Sequence, residues 1–192
     1  MQSTFTRDIS SSEPRTQLAE GVTAYYIYIP PRRTQAQAPL PEIPDSACEF
    51  ALKTLEFPAD APQQAILASA SRRIAICCTR QWGKSTTAAL KALHHALTNP
   101  ASLVLIASRT RRQAGETLDK AIDFARILDI RIRRANRHPD SLLLPNHSRI
   151  IALPGKPDSL RGYSAVSLLI VDEAAYVLDE LYHAVRDRKS VV

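Results

Sequence analysis

Cysteine is scarce in this 192-residue chain, and Cys48, Cys77 and Cys78 stand at no useful spacing. The number is odd, two are neighbours, and no Cys-x-x-Cys or Cys/His ligand pattern occurs. That excludes a disulfide framework and a structural zinc site as organising devices, and a reducing compartment is expected. Long apolar runs are lacking too: none approaches the roughly 20 residues of a membrane-spanning helix. The N-terminus has no charged head followed by an apolar stretch, so no secretory signal is read there. The expectation is a cytoplasmic protein with no membrane partner. Charge is only mildly one-sided, at +6 with a pI near 9.5. Such a balance suits a nucleic-acid partner without requiring one. The length allows one α/β domain with a real core.

Proline is unevenly spread. Pro14, Pro30, Pro31, Pro39, Pro41 and Pro44 all precede residue 47. With the serine run at Ser10, Ser11 and Ser12, this composition cannot sustain regular hydrogen bonding. Residues 1–46 are therefore expected to form a loosely ordered arm, with one possible strand over Val22–Ile29. Ala47–Leu55 and Gln63–Ser69 read as short helices separated by a proline-rich break.

The chemistry begins at Ile74-Ala75-Ile76-Cys77-Cys78-Thr79-Arg80-Gln81-Trp82-Gly83-Lys84-Ser85-Thr86-Thr87. A short apolar run, expected to be the first core strand, ends in a polar turn, and an amphipathic run follows. Strand, loop and helix in that order are the context of a phosphate-binding loop. A helix N-terminus leaves N–H groups unpaired and carries partial positive charge, so it holds an anion. Gly83 permits close backbone approach, Lys84 brings a mobile cation to the outer phosphates, and Ser85 can ligate Mg²⁺, with Thr86 as an alternative. The pattern departs from G-x-x-x-x-G-K-[ST] at its first glycine, where Cys78 stands. Upstream, Gln63 or Gln64 is either an exposed helical glutamine or one whose amide reads an adenine edge.

Further along, Leu90, Leu93 and Leu97 recur at helical spacing, and Asn99-Pro100 stops that helix. His94 and His95 read as surface residues. Leu103–Ala107 is apolar throughout, as a buried parallel strand should be. Thr110-x-x-Gln113 has capping-box form and opens a helix whose buried stripe is Ala114, Leu118, Ala121, Ala125 and Leu128. Arg109, Arg111 and Arg112 crowd its start and are either DNA-backbone contacts or a solvated helix entry. Ile130–Arg133 alternates as a strand. Ser141–Leu144 and Ser148–Leu153 flank Pro145-Asn146-His147 as a hairpin. Gly162-Tyr163-Ser164-Ala165-Val166 lacks the closing glycine of a nucleophile elbow and is rejected as one.

The second chemical element is Leu168-Leu169-Ile170-Val171-Asp172-Glu173. Four apolar residues make an expected central parallel strand, with two carboxylates at its carboxyl end, where α/β sheets bind ligands. Neighbouring strand positions point opposite ways, so the two can take separate tasks. Asp172 suits Mg²⁺, largely through water, and Glu173 suits a base acting on the attacking water. Paired with the loop, they point to an ATP site.

At this point the chain resembles the large terminase subunit of tailed bacteriophages, the ATPase that drives DNA into capsids. The resemblance rests on Arg80-Gln81-Trp82-Gly83-Lys84-Ser85-Thr86, Ser108-Arg109-Thr110-x-x-Gln113-Ala114, Ser159-Leu160-Arg161-Gly162-Tyr163-Ser164-Ala165 and Leu169-Ile170-Val171-Asp172-Glu173-Ala174-Ala175-Tyr176. It covers about 61–186. It implies that Gln63 is the adenine-reading glutamine. It further implies that Arg80 acts in cis on the γ-phosphate, and that Thr79, Gln81, Trp82, Gly83, Lys84, Ser85 and Thr86 form the nucleotide loop. Implied partners are ATP, Mg²⁺, double-stranded DNA, a portal, a small terminase subunit and further copies of the chain, in a bacterial host cytoplasm. The fold implied is a P-loop NTPase of the ASCE/RecA-like type: a three-layer α/β sandwich with a mostly parallel sheet, incomplete at its C-terminus. The family's downstream coupling motif and nuclease domain have no counterpart in the chain. The ATPase part is thus expected over 47–186, as an N-terminal piece of a larger motor. Residues 187–192 break the family pattern and read as a non-native tail, which resequencing the native locus would check. A helicase-like translocase and an inactive prophage remnant that only binds nucleotide are the alternatives.

Overall fold

Helix α1 (Ala47–Glu49) runs on as a π-helical turn, Phe50–Thr54, and α2 covers Ala61–Ala68. Next come α3 (Lys84–Thr98), β1 (Leu103–Ser108), α4 (Arg111–Ile127), β2 (Arg133–Ala135), β3 (His138–Leu143) and β4 (Arg149–Pro154). A short α5 (Pro157–Arg161), β5 (Leu168–Val171) and a 3₁₀ turn (Ala174–Tyr176) complete the order. This computed structural model describes residues 40–79, 81–135 and 138–176. The possible strand over 22–29, Arg80 and the tail at 187–192 lie outside the described residues.

The sheet runs β2-β3-β4-β1-β5. β1 pairs in parallel with β4 and β5, while β3 is antiparallel to both β2 and β4. Four of the five strands therefore point the same way, and the sheet is mostly parallel, as expected. Because side chains alternate along a strand, β1 feeds two cores. Val104 and Ile106 face α3 and α4, with Leu93, Ala96, Leu118 and Ile122. Leu103 and Leu105 face the other way, with Ile151 and Leu160 of α5. All six residues of β1 are buried, which a continuous apolar run requires of a strand covered on both faces.

Three elements depart from expectation. Among the described residues Ile74–Cys78 joins no ladder and is largely exposed, with Ile74 and Ile76 each at 39%. Apolar alternation marks a chain segment able to pair but does not name its partner. Among the described residues β5 is at the sheet edge, not its centre, and its four apolar residues are only half-buried. The strand expected at 130–133 starts at Arg133, because Ile130 is drawn into the core beside Ala125 through its N–H to the Ala125 carbonyl (2.9 Å).

His94 is also not a surface residue. It is buried, its Nε2 lies 2.8 Å from the Pro44 carbonyl, and its ring packs 5.4 Å from that of Phe50. Burial lowers its pKa most. The Pro44 carbonyl opposes that shift, the Lys91 charge adds to it, and Asp45 opposes it.

The turn at Asn146 does more than reverse the chain. Its Nδ2 donates to the carbonyls of Ala96 (2.7 Å) and Leu97 (3.1 Å), near the C-terminal end of α3. Its own carbonyl receives the N–H of Ala101 (3.0 Å), and its Oδ1 receives that of Ser148 (3.1 Å).

Candidate nucleotide site

The loop before α3 turns through two left-handed residues, Gln81 at φ 62° and Gly83 at φ 95°. At Gly83 the backbone itself demands glycine. A Cβ there would be strained and would also stand 3.0 Å from Gln63 Nε2. Gly83 caps α3 without a side chain. The first turn of α3 thus presents backbone N–H groups with a positive dipole end and no covering side chain. Lys84 reaches back over the loop, its Nζ 3.4 Å from the Thr79 carbonyl.

β5 brings the carboxylates to this loop. The Asp172 N–H donates to the Ala107 carbonyl (2.8 Å), so the ladder to β1 extends one residue past the strand. Ser85 Oγ donates to Asp172 Oδ2 at 3.3 Å, joining residues 87 positions apart. The other carboxylate oxygen accepts the Glu173 N–H at 3.0 Å. Thr86 is differently engaged, its hydroxyl receiving Lys120 Nζ at 3.2 Å. Of the two hydroxyls open to a metal role in the sequence, Ser85 is thus the one facing a carboxylate. An alcohol and a carboxylate oxygen are the hard donors Mg²⁺ takes from protein, with phosphate and water filling the rest. The pair fits that ion.

Glu173 leaves the strand in the left-handed region, at φ 53°. For a non-glycine residue this is uncommon backbone, which clusters where geometry is functionally constrained. Its Oε2 accepts from Gln113 Nε2 at 2.9 Å. Gln113 is itself oriented: its Oε1 accepts the Thr110 hydroxyl (3.0 Å), leaving the NH₂ toward Glu173. The Thr110 hydroxyl oxygen also accepts the Gln113 N–H (3.2 Å), capping α4. The sequence marks Gln113 as a capping-box position and as part of the segment resembling the terminase family; its reach across to Glu173 carries no sequence signal.

Gln63 is buried, and both ends of its amide are used inside the protein. Oε1 accepts the Asp60 N–H (3.0 Å), and Nε2 donates to the Trp82 carbonyl (2.9 Å). Gln64 Nε2 donates to the Ala59 carbonyl instead (2.8 Å). Asp60 was not anticipated: its Oδ2 accepts the Trp82 indole N–H at 2.8 Å. At the entry to α4, the exposed Arg111 pairs with the half-buried Asp140, and Arg112 with Glu116, both exposed.

The family model of the N-terminal part of the T4likevirus-type terminase large subunit matches residues 76–185. The chain belongs to that terminase family. Its fold is similar to the solved ATPase domain of the Thermus phage P74-26 large terminase, with a TM-score of 0.62 at 21% identity. The similarity covers 71% of this chain and 64% of that one, so the terminase chain described above spans just under two thirds of the solved domain. An arginine-to-alanine mutant of the same domain aligns with a TM-score of 0.61, again at 21% identity and with the same coverage of both chains. No curated protein matches the chain. Among the described residues no helix is long and apolar enough to cross a membrane.

Proposed function

We propose that this terminase chain is the ATP-hydrolysing part of a motor that translocates double-stranded DNA into capsids. The observation that carries the reading is the Ser85–Asp172 contact. Two segments far apart in the chain, each legible as half of a nucleotide–metal site, meet at hydrogen-bonding distance. The bare N-terminus of α3 and the loop of Thr79, Gln81, Trp82 and Gly83 cradle the phosphates. Lys84 turns from the Thr79 carbonyl to the outer phosphates. Ser85 and Asp172 would hold Mg²⁺, whose charge, when bound, offsets that developing on the phosphoryl oxygens. Glu173 accepts the proton of the attacking water, and Gln113 fixes the direction of its carboxylate. Arg80 lies beside Gln81 in sequence, and its role in cis on the γ-phosphate rests on the resemblance. Gln63 reads adenine only if its amide exchanges an internal partner for the base.

The exposed arginines opening α4, Arg111 and Arg112, directly precede Gln113, which offers a route from the DNA backbone to the base. Assembly into a ring, docking on a portal and a small terminase subunit, and action in the host cytoplasm belong to the same reading.

The test is nucleotide binding and phosphate release by the chain and by its Lys84→Ala and Ser85→Ala variants. Binding of Mg·ATP by the unmutated chain, lost in Lys84→Ala, supports the reading. Binding undiminished in both variants would overturn it.

A further inference from the structure

The loop that would carry the phosphates is fastened in an unexpected way. The segment feeding it, 74–79, belongs to no sheet ladder. Two left-handed residues, Gln81 and Gly83, bracket Trp82. What grips the loop is the first turn of α2. Gln63 Nε2 donates to the Trp82 carbonyl at 2.9 Å, and the Trp82 indole N–H donates to Asp60 Oδ2 at 2.8 Å. Gln63 and Asp60, the N-cap of α2, are also locked to each other. Asp60 Oδ1 accepts the Gln63 N–H (2.8 Å), and Gln63 Oε1 accepts the Asp60 N–H (3.0 Å). Trp82 is thus held by backbone and ring at once, on a closed cycle of bonds with Asp60 and Gln63.

The far end of α2 is braced as well. Lys91 of α3 donates to the carbonyls of Ile66 (2.9 Å), Leu67 (3.2 Å) and Ser69 (3.1 Å). α2 therefore spans from the loop to the middle of α3, the same helix whose N-terminus the loop opens. It acts as a strut between two parts of one phosphate site.

We infer that Asp60 and Trp82 form a positioning pair that sets the phosphate loop in its anion-receiving shape before nucleotide arrives. This rests on the nucleotide-site reading above and adds to it Asp60, which that reading does not use, and the indole of Trp82, a residue that it places only within the loop. Neither side chain need touch nucleotide. Their effect runs through the backbone at Trp82 and Gly83, directly before Lys84.

Asp60→Asn tests the pair cleanly. Asparagine caps a helix about as well as aspartate, so α2 keeps its cap. Its NH₂ group, however, would then oppose the indole N–H, and the latch is lost. Simple electrostatics gives the opposite sign, since removing a carboxylate near a polyphosphate site should tighten binding. Trp82→Phe removes only the indole donor and leaves Asp60 untouched. Trp82 is the single tryptophan of the chain. Its emission therefore reads Mg·ADP titrations of the unmutated and Asp60→Asn proteins, and calorimetry reads Trp82→Phe.

The expected result is a loss of Mg·ADP affinity of roughly three- to tenfold in each variant, the scale of one hydrogen bond. The double variant should be no weaker than either single one, because both remove the same bond. Melting temperature should stay within about 2 °C, and KM for ATP should rise. Should Asp60→Asn melt much earlier, Trp82→Phe carries the test alone. Unchanged or tighter binding in the variants, with the unmutated chain binding normally, overturns the positioning pair and leaves the site reading intact. An unmutated chain that binds no nucleotide overturns the site reading and the pair with it.

Discussion

Two strand-like runs in this terminase chain look alike on paper. Leu103–Ala107 and Ile74–Cys78 are both short and apolar, and each is followed by a polar turn and a helix. The first becomes β1, buried at every residue and bonded on both sides. The second joins no ladder and leaves two isoleucines 39% exposed. Their tasks in the site differ accordingly. β1 supports the carboxylate arm through backbone pairing that reaches the Asp172 N–H. The loop arm is held instead by side chains of α2. An apolar run thus specifies the ability to pair, whereas pairing depends on which neighbours are there to meet it. The carboxylate arm takes its geometry from the sheet, and the loop arm takes it from a latch.

The largest effect should separate the arms chemically. Glu173→Gln on the carboxylate arm should cut phosphate release by roughly 10²–10⁴ while Mg·ATP binding persists. Lys84→Ala on the loop arm should abolish the binding itself. If Glu173→Gln turned over ATP at the unmutated rate, the division of labour would collapse.

Next in size is the packing test. Ile106→Ala in β1 should cost about 2–5 kcal/mol in urea unfolding. Ile76→Ala, on the exposed run, should stay within about 0.5 kcal/mol. Equal losses at the two positions would show that 74–78 is packed in solution, and the comparison would fail. Gln113→Ala should cost several-fold in turnover, on the scale of about 1 kcal/mol for one hydrogen bond, with little change in nucleotide affinity.

The smallest effect is one of pH. Burial holds the His94 pKa below its ordinary 6.5 in the folded chain. The unfolded chain therefore takes up this proton first as pH falls below about 6.5, and stability drops from there until the folded pKa is passed. Above that range this residue's contribution is fully present. Melting curves from pH 7.5 to 5 should show the fall, and His94→Gln should flatten it. His95, also lowered by burial, contributes in the same direction.

The long helices and β1 were legible because each is specified locally. Leucines at helical spacing, the stop at Asn99-Pro100 and the Thr110 cap each suffice without knowledge of a partner. The hairpin around Asn146 was legible for the same reason. The two halves of the candidate nucleotide site stood in the sequence as separate motifs, and it took the fold to bring Ser85 to Asp172. What could not be read depends on contacts between segments distant in sequence. Gln113 looks like a cap and also reaches Glu173. Asp60 looks like part of a proline-rich break and accepts from an indole 22 positions later. His94 looks polar and surface-bound until Pro44 and Phe50 enclose it. Patterns of period and composition hold no information about such pairs, because one hydrogen bond leaves no periodic trace.

The asparagine at the hairpin tip has a practical consequence. A short surface reversal between two strands is ordinarily where an engineer would graft a tag, a dye or an extra peptide. Here that reversal doubles as the fastening for the last turn of α3, through two helical carbonyls gripped by one amide. Lengthening it would put those two bonds at risk, so a cargo placed at this bend would be felt in the closing turn of a helix whose apolar face still holds it to the sheet.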